Sequence, residues 1–119
     1  MPHSLLRSIR QCRIIEGMKF IETSLFTRLI YNYLDEDEYL GLQAYLLHHP
    51  ESGKIIQGTG GVRKIRWAIK GKGKRAGIRV IYLKVTENEI WLLTIYGKSE
   101  RVTIPSHILK QIAEEIKNV

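Results

Sequence analysis

The chain has 119 residues, 44% of them hydrophobic, and a formal net charge of +7. That is the length of one domain, long enough to bury a core without disulfide or metal staples, and the charge asks for an anionic partner. The single cysteine, Cys12, excludes an intramolecular disulfide and points to the cytoplasm. No apolar run approaches the ~20 residues that span a bilayer, so no membrane partner is expected.

Residues 1–17 differ in character from the rest of the chain and are set apart as a leader or extension of uncertain status; the folded unit is expected over 18–119, from the second methionine, Met18. Residues 19–22 read as a short strand. Ser24 is placed to cap a helix in which Leu25, Phe26, Leu29, Ile30 and Tyr33 recur at helical spacing. A second helix starts at Asp35, with Glu38 three residues on as its capping-box partner, and ends by His49 because Pro50 disfavours helix in the residue before it. The two helices form a hairpin.

A turn-rich stretch covers 51–61, with 54–57 as a short extended piece. Residues 63–69 alternate, with Ile65, Trp67 and Ile69 on one side and Lys64 and Arg66 on the other. A Gly/Lys loop over 70–77 leads to a strand at 78–86 that is apolar on both faces, hence central. The last strand, 90–98, is expected to put Trp91, Leu93 and Ile95 on one face and Thr94, Tyr96 and Lys98 on the other. Pro105 and Ser106 open a final amphipathic helix carrying Ile108, Leu109, Ile112, Ala113 and Ile116. The expected order is β-α-α-β-β-β-α. This is an α+β domain: an antiparallel three-stranded meander plus an N-terminal strand, with the helical hairpin and the C-terminal helix packed on the sheet.

The chemistry concentrates in residues 58–82. This stretch holds Arg63, Lys64, Arg66, Lys70, Lys72, Lys74, Arg75 and Arg79, eight of the 19 basic residues, and no Asp or Glu. A meander brings the start of 78–86 beside the end of 90–98, so Arg79 is expected near Tyr96 and Lys98, with Lys64 and Arg66 approaching from the other side. Such a group can hold a phosphodiester and stabilise charge that develops on it. A solvated cationic sheet face is the plain alternative. No metal site is expected: His48 and His49 are adjacent and point apart, and His3 and His107 are remote. No Ser/His/Asp or Cys/His arrangement is legible, and the glycine spacing lacks the Gly-Lys-Ser/Thr of a phosphate loop.

The run GTGGVRKIRWAIKGKGKRAGIRVIY, together with LLTIYGKSE further on, resembles the RelE/HigB-type toxins of type II toxin–antitoxin systems, in particular the HigB-like branch. The resemblance covers 18–119 and includes the RelE-like element order. It implies a ribosome-dependent endoribonuclease, metal-independent and without cofactor, that cleaves mRNA in the A site. In that reaction the ribose 2′-OH attacks the adjacent phosphate, leaving a 2′,3′-cyclic phosphate and a 5′-OH. It also implies a cognate antitoxin, of helix-turn-helix type, and contact with operator DNA only through the antitoxin complex.

Carried over by motif, Lys64 and Arg66 match the paired basic residues of the first meander strand. Arg79 matches the phosphate-binding arginine of Gly-x-Arg, and Lys98 matches the basic end of the last strand. Tyr96 completes the expected catalytic group. Arg63, Lys70, Lys72, Lys74 and Arg75 are assigned to RNA or ribosome binding. The chain departs from the pattern where some members have an arginine after Gly-Lys: here Ser99 stands in that place, with Arg101 two further on. No tyrosine comes after Tyr96, and His107 belongs to the final helix. The general base is therefore open among Tyr96, a perturbed lysine and a group supplied by the ribosome. A non-catalytic RNA- or ribosome-binding module using the same face is the second hypothesis. A degenerate relative that keeps only antitoxin binding is the third.

Overall fold

The computed structural model describes residues 11–68, 77–97, 100 and 104–118. Ile69 and the basic residues Lys70, Lys72, Lys74, Arg75, Lys98 and Arg101 lie outside the described residues. The described residues form an α+β fold built on one six-stranded sheet. The strands are β1 (Gln11–Ile15), β2 (Met18–Glu22), β3 (Lys54–Ile55), β4 (Arg63–Trp67), β5 (Ile78–Thr86) and β6 (Glu89–Gly97). The helices are α1 (Ser24–Leu29), extended by a 3₁₀ turn at Ile30–Asn32, α2 (Glu36–His48) and α3 (Ser106–Lys117).

The strand order is β1-β2-β6-β5-β4-β3. Strands β5 and β6 are central, as their apolar character on both faces requires. The pair β2/β6 is parallel and all other pairs are antiparallel. Six strands stand where four were expected. The first extra one, β1, comes from the stretch read as a leader. Ile15 pairs with Met18, and the two residues between them, Glu16 and Gly17, have φ of 48° and 87°. Positive φ at both central residues is what the tight hairpin turn matched to strand twist needs. The Glu-Gly step is therefore a legible signal. The second, β3, is only two residues long.

The helical hairpin covers one face of the sheet and α3 the other. Phe26, Ile30, Leu34, Tyr39, Leu42 and Leu46 pack on Phe20, Ile65, Val80, Tyr82 and Leu92. Leu109, Ile112, Ala113 and Ile116 pack on Ile21, Ile81, Leu83, Trp91 and Leu93. Burial of these side chains is what holds the layers together, at roughly 1.5–3 kcal/mol for each Leu, Ile, Val or Phe.

Two local expectations change. The N-cap of α1 is Thr23, whose hydroxyl accepts from the Phe26 amide at 3.1 Å and donates to the Leu93 carbonyl at 2.8 Å. Thr23 wins over Ser24 because β6 holds it in extended geometry, its amide donating to the Leu92 carbonyl. Second, Ile95 does not share a face with Trp91 and Leu93. Ile81 pairs with Thr94 but Tyr82 pairs with Leu92, so Leu93 is an extra residue, a β-bulge. The bulge breaks the two-residue alternation and turns Ile95 into the hairpin core. The capping box at α2 is formed as expected: the Asp35 side chain accepts from the Glu38 amide and the Glu38 side chain from the Asp35 amide, each at 2.8 Å. Among the described residues no helix is long and apolar enough to cross a membrane.

Candidate nucleic-acid interface

The pairing registers assemble the basic residues. Arg66 stands opposite Arg79 across β4 and β5, and Arg79 stands opposite Tyr96 across β5 and β6. One row along, Lys64 stands opposite Ile81, and Ile81 belongs to the α3 core. Residues directly opposite in a sheet share a face, and residues two apart along a strand do too. Lys64, Arg66, Arg79 and Tyr96 therefore share the α3 face of the sheet. Lys64 and Arg66 are exposed, and Arg79 and Tyr96 are half-buried.

The β6 bulge is part of this geometry. With unbroken alternation from Ile90 and Leu92, Tyr96 would face the helical hairpin; the extra residue delivers it beside Arg79. Burial raises the Tyr96 phenol above the usual tyrosine value, and the neighbouring Arg79 charge partly opposes the rise. Tyr96 is thus a neutral hydroxyl at physiological pH, a hydrogen-bond donor next to a guanidinium.

Arg63 belongs elsewhere. It pairs with Tyr82, a residue of the hairpin core, and its Nη1 donates to the Glu51 carbonyl at 2.9 Å and the Gly53 carbonyl at 2.8 Å. It clamps the loop after α2 from the opposite face and does not join the basic row. Of the other residues assigned to RNA or ribosome contact, Lys70, Lys72, Lys74 and Arg75 lie outside the described residues, as does Lys98.

One cation of this face was missed. Lys54 on β3 stands opposite Lys64, which places it on the α3 face as an extension of the basic surface; it is exposed. The sequence shows a short extended piece there, but not which strand it joins. Among the described residues the ion pairs are Arg13–Glu36, Lys84–Glu51 and Lys84–Glu87, and none involves Lys54, Lys64, Arg66 or Arg79.

The frame around the site is tied down. The Gly-Thr-Gly-Gly stretch is the β3–β4 connection. The Thr59 hydroxyl donates to the Ile56 carbonyl at 2.6 Å and accepts from the Val62 amide at 3.1 Å. Gly58, Gly60 and Gly61 all sit at positive φ, where a side chain would strain the turn. At the end of β6, the Glu100 carboxylate accepts from the Tyr33 hydroxyl at 2.7 Å and from the Gly97 amide. Those two bonds hold Glu100 below the usual carboxylate range, while burial and the bond to Glu100 push Tyr33 up to about 12. A Cβ at Gly97 would lie 2.7 Å from the Glu100 oxygen, so the glycine of Tyr-Gly-Lys makes room for this clasp.

No family model matches the chain.

Proposed function

We propose that the protein is the toxin of a toxin–antitoxin pair, a RelE/HigB-type endoribonuclease that cleaves mRNA in the ribosomal A site. The observation that carries this reading is the Arg66–Arg79–Tyr96 row on an acid-poor sheet face, taken with the signature motifs of that family. The fold is read as RelE-like, with β1 and β3 added to its four-stranded core. The cognate antitoxin, the ribosome and mRNA are its partners.

In this reading the scissile phosphate sits over the row. Arg66 and Arg79 neutralise its non-bridging oxygens and gain strength as charge builds in the transition state. The ribose 2′-oxygen forms a bond to phosphorus as the bond to the 5′-oxygen breaks. The 2′-OH proton passes to a base and the 5′-oxygen takes up a proton. Tyr96, kept protonated by burial, suits the donor role at the leaving 5′-oxygen and not the role of base. Lys64, next to Arg66 on the same face, adds electrostatic support.

The test is inducible expression with growth and mRNA 5′ ends as readouts. Wild type is expected to arrest growth and to produce new codon-linked 5′ ends. The Lys64→Ala/Arg79→Ala double variant is expected to lose both while still binding its antitoxin. Persisting arrest in the double variant overturns the site. A specific observation favours a second reading: the row contains neither a carboxylate nor an imidazole. A non-catalytic ribosome-binding module would block translation and leave no new ends.

A further inference from the structure

Lys54 and Lys64 form a second like-charge pair beside the first. They stand directly opposite across β3 and β4, and Arg66 and Arg79 stand opposite across β4 and β5 in a neighbouring row. Like charges placed directly opposite in a sheet work against its stability. Two such pairs sit on one face, and no carboxylate among the described residues is ion-paired to any of the four cations. The nearest acid in sequence, Glu51, is engaged by Lys84 at 3.0 Å.

We propose that the Lys54–Lys64 pair is a subsite for a second phosphate of single-stranded RNA, adjacent to the phosphate held over Arg66, Arg79 and Tyr96; it rests on the proposed binding of an RNA phosphate at that row, the part of the nuclease reading that needs no cleavage. Lys64 and Arg66 are two residues apart on one strand, about 6.6 Å, which is on the order of one nucleotide step in an extended strand. An RNA backbone crossing the sheet from β3 toward β6 meets one cation pair and then the other. Two consecutive phosphodiesters relieve both repulsions at once, and a single anion relieves only one.

The subsite is built on a rigid base. Gly53, the residue before Lys54, is buried. Its amide donates to the Tyr82 hydroxyl at 2.9 Å and its carbonyl accepts from Arg63 at 2.8 Å. A Cβ there would lie 2.8 Å from both the ring edge and the hydroxyl of Tyr82. The Tyr82 hydroxyl in turn donates to the Pro50 carbonyl at 3.0 Å. Lys54 therefore leaves a pinned backbone, which reduces the ordering cost of using it as a contact.

The experiment is equilibrium binding of a fluorescein-labelled, fully 2′-O-methylated oligoribonucleotide, which cannot be cleaved, across a series of salt concentrations. Lys54→Gln is expected to weaken binding and to reduce the slope of log K against log salt by about 0.7, the single-strand value for one phosphate contact. Lys54→Arg is expected to keep the wild-type slope. An unchanged slope in Lys54→Gln, with a melting temperature no lower than wild type, overturns the subsite. Growth arrest and 5′-end mapping of Arg79→Ala test the nuclease reading separately. A lower slope in Lys54→Gln supports the subsite even where the wild type makes no mRNA ends, and only the nuclease reading then fails.

Discussion

Arg66 and Arg79 face each other directly across β4 and β5, and Tyr96 stands on the other side of Arg79 in the same row. A cross-strand pair of guanidinium groups does not arise to hold a sheet together. Like charges placed directly opposite work against the sheet, and three properties of this row and of the sheet around it can be measured.

The first concerns stability against function. Arg66 is exposed and makes no ion pair among the described residues. Arg66→Gln is expected to abolish growth arrest while leaving the fold as stable as wild type, or more stable by about 0.2–1 kcal/mol, because the repulsion with Arg79 is gone. Urea denaturation read by circular dichroism measures it. A clear loss of stability would mean that Arg66 has a structural partner and that the charge argument fails.

The second concerns the protonation of Tyr96, whose pKa burial raises and Arg79 partly lowers. The unfolded chain ionises tyrosine near 10, so the folded state holds this proton more tightly. The stability associated with it is complete below pH 10 and is lost as the pH rises from 10 through the higher folded value. The difference between the ultraviolet titrations of wild type and Tyr96→Phe should be one late-ionising tyrosine, with Tyr33 and Tyr39 ionising late in both. Arg79→Gln should push that ionisation later still. Tyr96→Phe should also lower cleavage by about a hundredfold or more if the hydroxyl donates to the leaving oxygen. Unchanged cleavage would remove Tyr96 from the mechanism.

The third concerns a buried acid on the opposite face. Glu22 is 2% exposed and accepts from the Tyr39 hydroxyl and the Thr27 hydroxyl, each at 2.6 Å. Desolvation by burial, reinforced by Glu22, holds Tyr39 in its protonated, donating form. Tyr39→Phe leaves a buried carboxylate oxygen without its donor and is expected to cost about 1–3 kcal/mol. Adding Glu22→Gln to Tyr39→Phe should recover part of that loss, because an uncharged amide is cheaper to leave unpaired. If the double variant is no more stable than Tyr39→Phe alone, the cost comes from packing and not from the orphaned acid.

Much of the architecture is legible because local rules decide it. The Asp35–Glu38 capping box, the stop before Pro50, the doubly apolar strand at Ile78–Thr86 and the start of the final helix after Pro105 depend on neighbours within a turn. Lys64, Arg66 and Arg79 are legible as a basic cluster for the same reason: they are close in sequence. The Glu-Gly turn that adds β1 is equally local, but the unlike composition of the residues before it masks the strand they form.

Tertiary structure decides which residues meet. Charge density alone puts Arg63 with its neighbours, but alternation about the buried Ile65 sends it to the other face, where it clamps the loop carrying Gly53. Composition cannot say that Lys54 joins Lys64, since a two-residue strand is specified by its partner and not by itself. A strict period of two would turn Tyr96 toward the helices, and only the pairing of β5 with β6 shows the extra residue at Leu93 that turns it to Arg79. The residues themselves determined a basic α+β domain with its cations clustered in one stretch. Sheet register, a long-range property, determined which cations stand opposite one another and which hydroxyl stands beside them.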